Sequence, residues 1–373
     1  MKYVTFLYFA FQSVLVIFLL KEAYSGSIKY MQILDEEGNV DQSIPLDDID
    51  NEKIIRMYKL MVFARAVDSK VLSLQRQGRM ATYGPCIGEE ATQIGAAIAM
   101  NPNDIFVPNF RQHALYLARG MPLENFLLYW KGYEEGNIPA AKINGMPVIV
   151  PVGTQMQHAV GLAFAQKQRK TGNAVVAYVG DGGTSEGDFY EAMNFAGVMK
   201  VPVILIIENN GWAISVPRSR QSAAETLAQK AIAAGIPGVQ VDGNDVFAVY
   251  KAVSEAIRNS KDGAFVIECI TYRMSMHTTS DDPTKYRSEA DVNEWKARDP
   301  ILRLRKYLSK HGLWNDDMES KMNEEYAKLI DAAVEKEEAF KPDPRSMFNS
   351  VYSFMPQVLQ EEMDDADANN YWR

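Results

Sequence analysis

Short apolar runs alternate with helix-patterned stretches through the middle of this chain, and each run empties into a polar loop. Residues 104–108, 174–179, 201–207, 239–242 and 264–270 form such runs, and 147–152 is a further apolar stretch. Runs this short, with no polar alternation, predict strands buried on both faces. Between them, residues 154–170, 189–200 and 246–258 have helix composition. Strands alternating with helices predict an α/β fold, a mostly parallel sheet covered by helices on both faces.

Flanking stretches carry helical signals of their own. Residues 52–77 place apolar side chains at 54, 55, 58, 61 and 62, with Asp50 or Asn51 positioned to cap the start and Gly78 to stop the end. Arg65 and Arg76 read as solvated charges on that helix. Residues 132–145 read as a mobile polar loop. Residues 299–312 and 316–341 read as charged helices, and the acidic residues 361–370 as a frayed tail. Residues 1–25 form an apolar N-terminal extension, 26–355 the main domain and 356–373 the acidic tail.

Residues 180–215 organise the rest. One apolar run ends in Gly180-Asp181-Gly182-Gly183-Thr184-Ser185-Glu186-Gly187-Asp188, a helical stretch follows, and the next run ends in Asn209-Asn210-Gly211-Trp212. A strand–loop–helix–strand–loop unit brings both loops to the carboxyl edge of a parallel sheet. There Asp181 offers a carboxylate oxygen, Asn210 an amide oxygen and the second loop a main-chain carbonyl. Such hard oxygen donors suit magnesium, which shares its shell with phosphates and water. Gly182 and Gly183 let main-chain N–H groups approach a phosphate at a helix start. A bare Gly-Asp-Gly is often only a turn; the paired asparagine loop makes the unit read as a magnesium–diphosphate site.

Composition narrows the classes. Of 373 residues, 47% are apolar and 23% charged, an ordinary globular balance. The net charge of −9 and the lack of a basic stripe exclude a nucleic-acid binder. Cys86 and Cys269 make no disulfide framework, which fits a reducing, cytoplasmic setting. Residues 4–20 are almost wholly apolar, interrupted by Thr5, Gln12 and Ser13. Three readings compete: a short membrane span, a signal peptide cleaved near Ala23-Tyr24-Ser25, or an extension that packs or frays, which the cytoplasmic setting favours.

Several loops hold further candidates. Arg111, in Asn109-Phe110-Arg111, has the donor fork that suits phosphate, although alone it reads as a surface arginine. His158, inside a helical stretch, reads as packed or capped. Residues 272–287 form a long polar loop after a strand, and such loops inside compact domains are functional or disordered. His277 lies in it.

From about residue 30 to 355 the chain resembles the alpha subunit of the thiamine-dependent dehydrogenase component of 2-oxo acid dehydrogenase complexes. The resemblance rests on Asn-Phe-Arg (109–111), Gly-Thr-Gln (153–155), the runs at 180–189 and 208–215, Val-Asp-Gly-Asn-Asp (241–245) and His-Thr-Thr-Ser-Asp-Asp-Pro-Thr-Lys-Tyr-Arg (277–287). It implies a thiamine-diphosphate-binding fold with Mg2+ held by Asp181, Asn210 and the Trp212 carbonyl. Gly182 and Gly183 would line the diphosphate, with Val150 and Val152 beside the cofactor. Phe110 and Arg111 stand where the family has a Tyr-Arg pair, and His277 where it has an active-site histidine. Thr278 occupies the position of a regulatory phosphoserine in animal relatives. Branched-chain relatives carry a serine near position 150 that serves a potassium site, and valine stands here.

The resemblance further implies a beta subunit completing the cofactor pocket, an α2β2 heterotetramer, and a lipoyl-bearing acyltransferase core as acceptor. The implied reaction is oxidative decarboxylation of a 2-oxo acid. The run at 235–243 resembles bacterial pyruvate enzymes, whereas 244–250 and the residues after His277 resemble branched-chain ones; pyruvate is the favoured reading. A transketolase would carry both cofactor halves in one longer chain. A non-catalytic cofactor-binding subunit is the other alternative.

Overall fold

The computed structural model describes residues 6–11, 14–19 and 23–371. Its centre is a wholly parallel sheet of six strands: β1 (Lys29–Met31), β2 (Ile105–Val107), β3 (Val175–Gly180), β4 (Val203–Asn209), β5 (Gly238–Asp242) and β6 (Phe265–Ile270). They lie in the order β1-β5-β6-β4-β3-β2. Neighbours in this order are separated in the chain by helices, the crossovers that parallel pairing demands.

Two hydrophobic cores flank the sheet. Alternate residues of one strand feed opposite faces: Val176, Tyr178, Ile204 and Ile206 enter one core, and Val175, Ala177, Val203 and Leu205 the other. The first core is closed by α1 (Asn51–Arg76), α2 (Glu90–Ala99), α5 (Val246–Asn259), α6 (Pro300–Lys310) and α7 (Asp316–Glu338); the second by α3 (Thr154–Arg169) and α4 (Gly187–Met199). Because both faces are covered, the strands are apolar at nearly every position. Glu268 in mid-β6 is one of the exceptions, and its carboxylate accepts from Asn209 Nδ2 (2.7 Å), the Ala228 N–H (2.9 Å) and Gln240 Nε2 (3.0 Å). A buried carboxylate is tolerable only with such partners.

Capping joins elements as well as ending them. Asp50 caps α1 by accepting from the Lys53 N–H at 2.8 Å. Asp245 caps α5 through the Phe247 and Ala248 N–H groups, at 2.9 and 3.2 Å, and its second oxygen takes the Ile33 and Leu34 N–H groups at 2.6 and 2.7 Å. One carboxylate thus starts a helix and ties in the segment beyond β1.

Several expectations need correction. Residues 147–152 form no strand: Pro147 and Pro151 lack the N–H a ladder needs, and only Gly145 bridges to Phe106 there. Residues 132–145 are largely a 3-10 helix, Glu134–Ile143, folded so tightly onto its neighbour that a Cβ on Gly136 would lie 2.4 Å from the Tyr129 nitrogen. Arg65 is no solvated charge: it grips both oxygens of buried Glu90, at 2.6 and 2.8 Å, and pairs with Asp299. The acidic C-terminal stretch is a helix, Gln357–Ala368, tied by Asp367 to Arg345 at 2.5 Å. Near the N-terminus, the backbones of Phe6–Phe11 and Val14–Leu19 pair as an antiparallel hairpin. Thr5, Gln12, Ser13 and the residues at 1–4 and 20–22 lie outside the described residues. Among the described residues no helix is long and apolar enough to cross a membrane.

Candidate active site

Four adjacent strands, β6, β4, β3 and β2, deliver their following loops to one edge of the sheet. Asp181 follows β3, Asn210 and Trp212 follow β4, His277 lies beyond β6, and Phe110 and Arg111 lie beyond β2. Register brings the loops together, since Gly180 pairs with Glu208 and Asn209 with Ile270.

Asp181 is 2% exposed, and its Oδ2 has no hydrogen-bond partner. Burial pushes its pKa up to about 7, with the Glu89 charge adding to the rise and the Gly182 N–H opposing it. Thr184 Oγ1 donates to its main-chain carbonyl at 2.7 Å, and Lys230 Nζ donates to the Thr184 carbonyl at 2.7 Å, which pins the loop from behind. Gly182 is where the two loops touch. A Cβ there would sit 2.6 Å from that of Ala213, so only glycine permits the approach.

Asn210 is buried. Its Nδ2 donates to both oxygens of Glu89 at 3.2 Å, and its Oδ1 accepts the Trp212 N–H at 3.2 Å. Gly211 between them has φ +84°, a left-handed turn that suits glycine. The donor set on this side is an unpartnered carboxylate oxygen, an amide oxygen and a carbonyl. It fits a hard divalent cation. No cluster of three or more His, Cys, Asp or Glu side chains suited to a metal occurs among the described residues.

Cationic groups adjoin this donor set, and Arg273 Nη1 lies 3.5 Å from the Trp212 carbonyl. Arg111, 4% exposed, donates through Nη1 to the Pro85 carbonyl (2.7 Å) and through Nη2 to both the His277 carbonyl and His277 Nδ1 (3.0 Å each). Arg273 Nη1 stands 3.2 Å from the same Nδ1. Guanidinium groups only donate, so Nδ1 carries a lone pair and the imidazole proton sits on Nε2. Burial, then Arg111 and Arg273, lower the His277 pKa to about 3. The Phe110 ring meets the imidazole edge-on at 5.7 Å. The loop itself is held by the His277 N–H on Asp281 (2.7 Å), Tyr286 Oη on the same carboxylate (2.5 Å) and the Thr279 N–H on the Tyr83 carbonyl (2.8 Å).

These groups enclose a cavity of about 280 Å³. Phe110, Arg111, Val152, Asp181, Gly182, Gly183, Asn210, Trp212 and His277 line it; Val150 does not, and is 56% exposed. Its rim is apolar, with Val152 and Ile214 more than half exposed. His158 lies elsewhere, its Nδ1 2.9 Å from the Thr154 carbonyl within its own helix.

Three buried charges in the lining escaped sequence reasoning: Glu89, Glu208 and Arg273. Glu208 accepts from Thr92 and from Gln112 Nε2 (2.5 Å), and burial, with the Glu89 charge, pushes its pKa up to about 8. A glutamate ending an otherwise apolar strand was the available signal. Arg273 stood inside the long loop with nothing to distinguish it from its neighbours.

The family model described as dehydrogenase E1 component matches residues 58–345. A pyruvate dehydrogenase E1 component subunit alpha from Staphylococcus epidermidis (strain RP62A) is 41% identical over 343 residues, covering 91% of this chain and 93% of that protein. The protein of the same name from Staphylococcus aureus (strain Mu50) is 42% identical over the same span and shares. A match over most of the chain, with the parallel sheet and its loop-built cavity, has one reading: the chain belongs to the dehydrogenase E1 component family.

Proposed function

We propose that this chain is the alpha subunit of a thiamine-diphosphate- and Mg2+-dependent 2-oxo acid dehydrogenase that decarboxylates pyruvate and passes the acyl group to lipoyl groups of an acyltransferase core. The carrying observation is that Asp181, Asn210 and Trp212 line one cavity together with Arg111 and His277. The names of the relatives support pyruvate as substrate.

Asp181, Asn210 and the Trp212 carbonyl would hold Mg2+, with Gly182 and Gly183 beside the diphosphate. Thiamine diphosphate, when bound, supplies the electron sink for decarboxylation. Arg111 provides fixed positive charge for an anionic group. His277, neutral and with its proton on Nε2, is a donor there and serves to orient substrate or lipoyl group and move a proton. Val152 and Phe110 give the cavity wall apolar surface. The exposed apolar rim supports a beta subunit as the surface that closes the cavity, in an α2β2 assembly. The two buried free cysteines support a cytoplasmic setting.

Reconstitution with the beta partner, followed by an artificial electron acceptor, tests this reading. We expect turnover with pyruvate that depends on thiamine diphosphate and Mg2+, and little with branched 2-oxo acids. Preference for the branched acids would move the substrate to that class. Cofactor binding without turnover on any 2-oxo acid would leave a non-catalytic subunit.

A further inference from the structure

Asn210 has two chemically opposite ends, an oxygen that accepts and an NH2 that donates. Nothing in the side chain's shape selects between them, so its neighbours must. Both oxygens of Glu89 stand 3.2 Å from Nδ2. The Trp212 N–H can only donate and stands 3.2 Å from the other end of the amide, so the oxygen is the end on that side and the NH2 the end on Glu89. Oδ1 therefore faces away from Glu89, toward the Trp212 N–H.

Glu89 is itself held rigidly. It is 1% exposed and immediately precedes α2. Its N–H donates to the Cys86 carbonyl at 2.8 Å, and Arg111 Nε lies 3.8 Å from its Oε1. Arg65 clamps the adjacent Glu90 at two points. A buried carboxylate so constrained sets the rotamer of whatever it binds.

We propose that Glu89 is a positioning residue that locks the Asn210 amide with its oxygen turned to the cation side, so that the oxygen donor set is assembled before the cation arrives. This rests on the cofactor reading above. The role is the one outer partners play around metal ligands, where their loss typically weakens metal binding about 10–100-fold.

The probe is Mn2+, titrated in the presence of thiamine diphosphate into the chain assembled with its beta partner, with free Mn2+ read by electron paramagnetic resonance. Glu89→Met is measured with Asn210 intact and with Asn210→Ala, a double-mutant cycle. We expect Glu89→Met to weaken Mn2+ binding about 10–100-fold when Asn210 is present and less than about twofold when it is absent. Glu89→Gln, whose Oε1 still accepts from Nδ2, is expected to retain most of the affinity. An equal loss in both backgrounds, or none in either, overturns the proposal.

Should Glu89→Met fail to fold, Asn210→Asp decides the same point. It sets two carboxylates face to face, and adding Glu89→Gln restores a donor–acceptor pair. We expect the double variant to bind Mn2+ at least about tenfold more tightly than Asn210→Asp alone, and absence of that gain overturns the proposal. Failure of the unmodified assembly to bind Mn2+ with thiamine diphosphate would instead overturn the cofactor reading, and this inference with it.

Discussion

Asp181 holds a carboxylate oxygen out of water with nothing bonded to it. A buried, unpartnered acceptor costs about 1–3 kcal/mol, and the cation proposed above would give it a partner. We expect Asp181→Ala to lose Mn2+-dependent thiamine diphosphate binding, which calorimetry would register; an unchanged affinity would remove Asp181 from the metal assignment. His277 gives a second test at this scale. With its pKa lowered to about 3, from 6.5, the imidazole stays neutral from pH 8 to pH 5. Its ring resonances are expected not to titrate in that window, whereas Arg273→Gln, by removing one flanking charge, should move the midpoint upward. The sign for stability follows: below pH 6.5 the unfolded chain takes up a proton that the folded one refuses. The contribution is therefore full above pH 6.5 and declines as pH falls toward 3. Asp181, Asn210 and His277 stand out in the linear chain because their residue types sit in loops at strand ends. Glu89 does not. Two consecutive glutamates before an alanine-rich stretch read as ordinary helix-start acids, and only the packing shows one gripping Asn210 and the other Arg65.

Helices and loops here depend on single residues that serve two elements. Asp245 satisfies four N–H groups, two from α5 and two from residues 33–34. Losing a cap costs about 1 kcal/mol, and stranding buried donors costs about 1–3 kcal/mol more. We expect Asp245→Ala to lower unfolding free energy by about 2–4 kcal/mol, measured by denaturant titration; a loss under about 0.5 kcal/mol would mean water replaces the carboxylate. Gly88 is the comparable backbone position. It has φ +100°, and a Cβ would lie 2.3 Å from the Tyr272 carbonyl. The cap at Asp50 and the stop near Gly78 were readable because they are local. The helix at 134–143 was not, since glycine and proline content signals a loop while packing against the preceding helix overrides it.

At the scale of the molecule, the cavity is polar at its floor and apolar at its rim. Val152, Ile214 and Val216 remain exposed beside a site whose charged groups are almost all buried. Apolar rims of this kind mark surfaces that meet a partner. We expect residues 212–217 to gain hydrogen-exchange protection when the beta partner is added; unchanged exchange there would place the partner on another face. The linear chain by itself determined the α/β architecture, because strands buried on both faces must be apolar throughout, and it marked the loops that end those strands. It also carried the ligand types, since carboxylate and amide oxygens declare their chemistry wherever they stand. Only the tertiary structure decided which charges share the cavity, turned Arg65 from surface to clamp, left Val150 outside the lining and set Glu89 against Asn210. Those outcomes depend on groups far apart in sequence meeting within a few ångströms, and no local pattern encodes that distance.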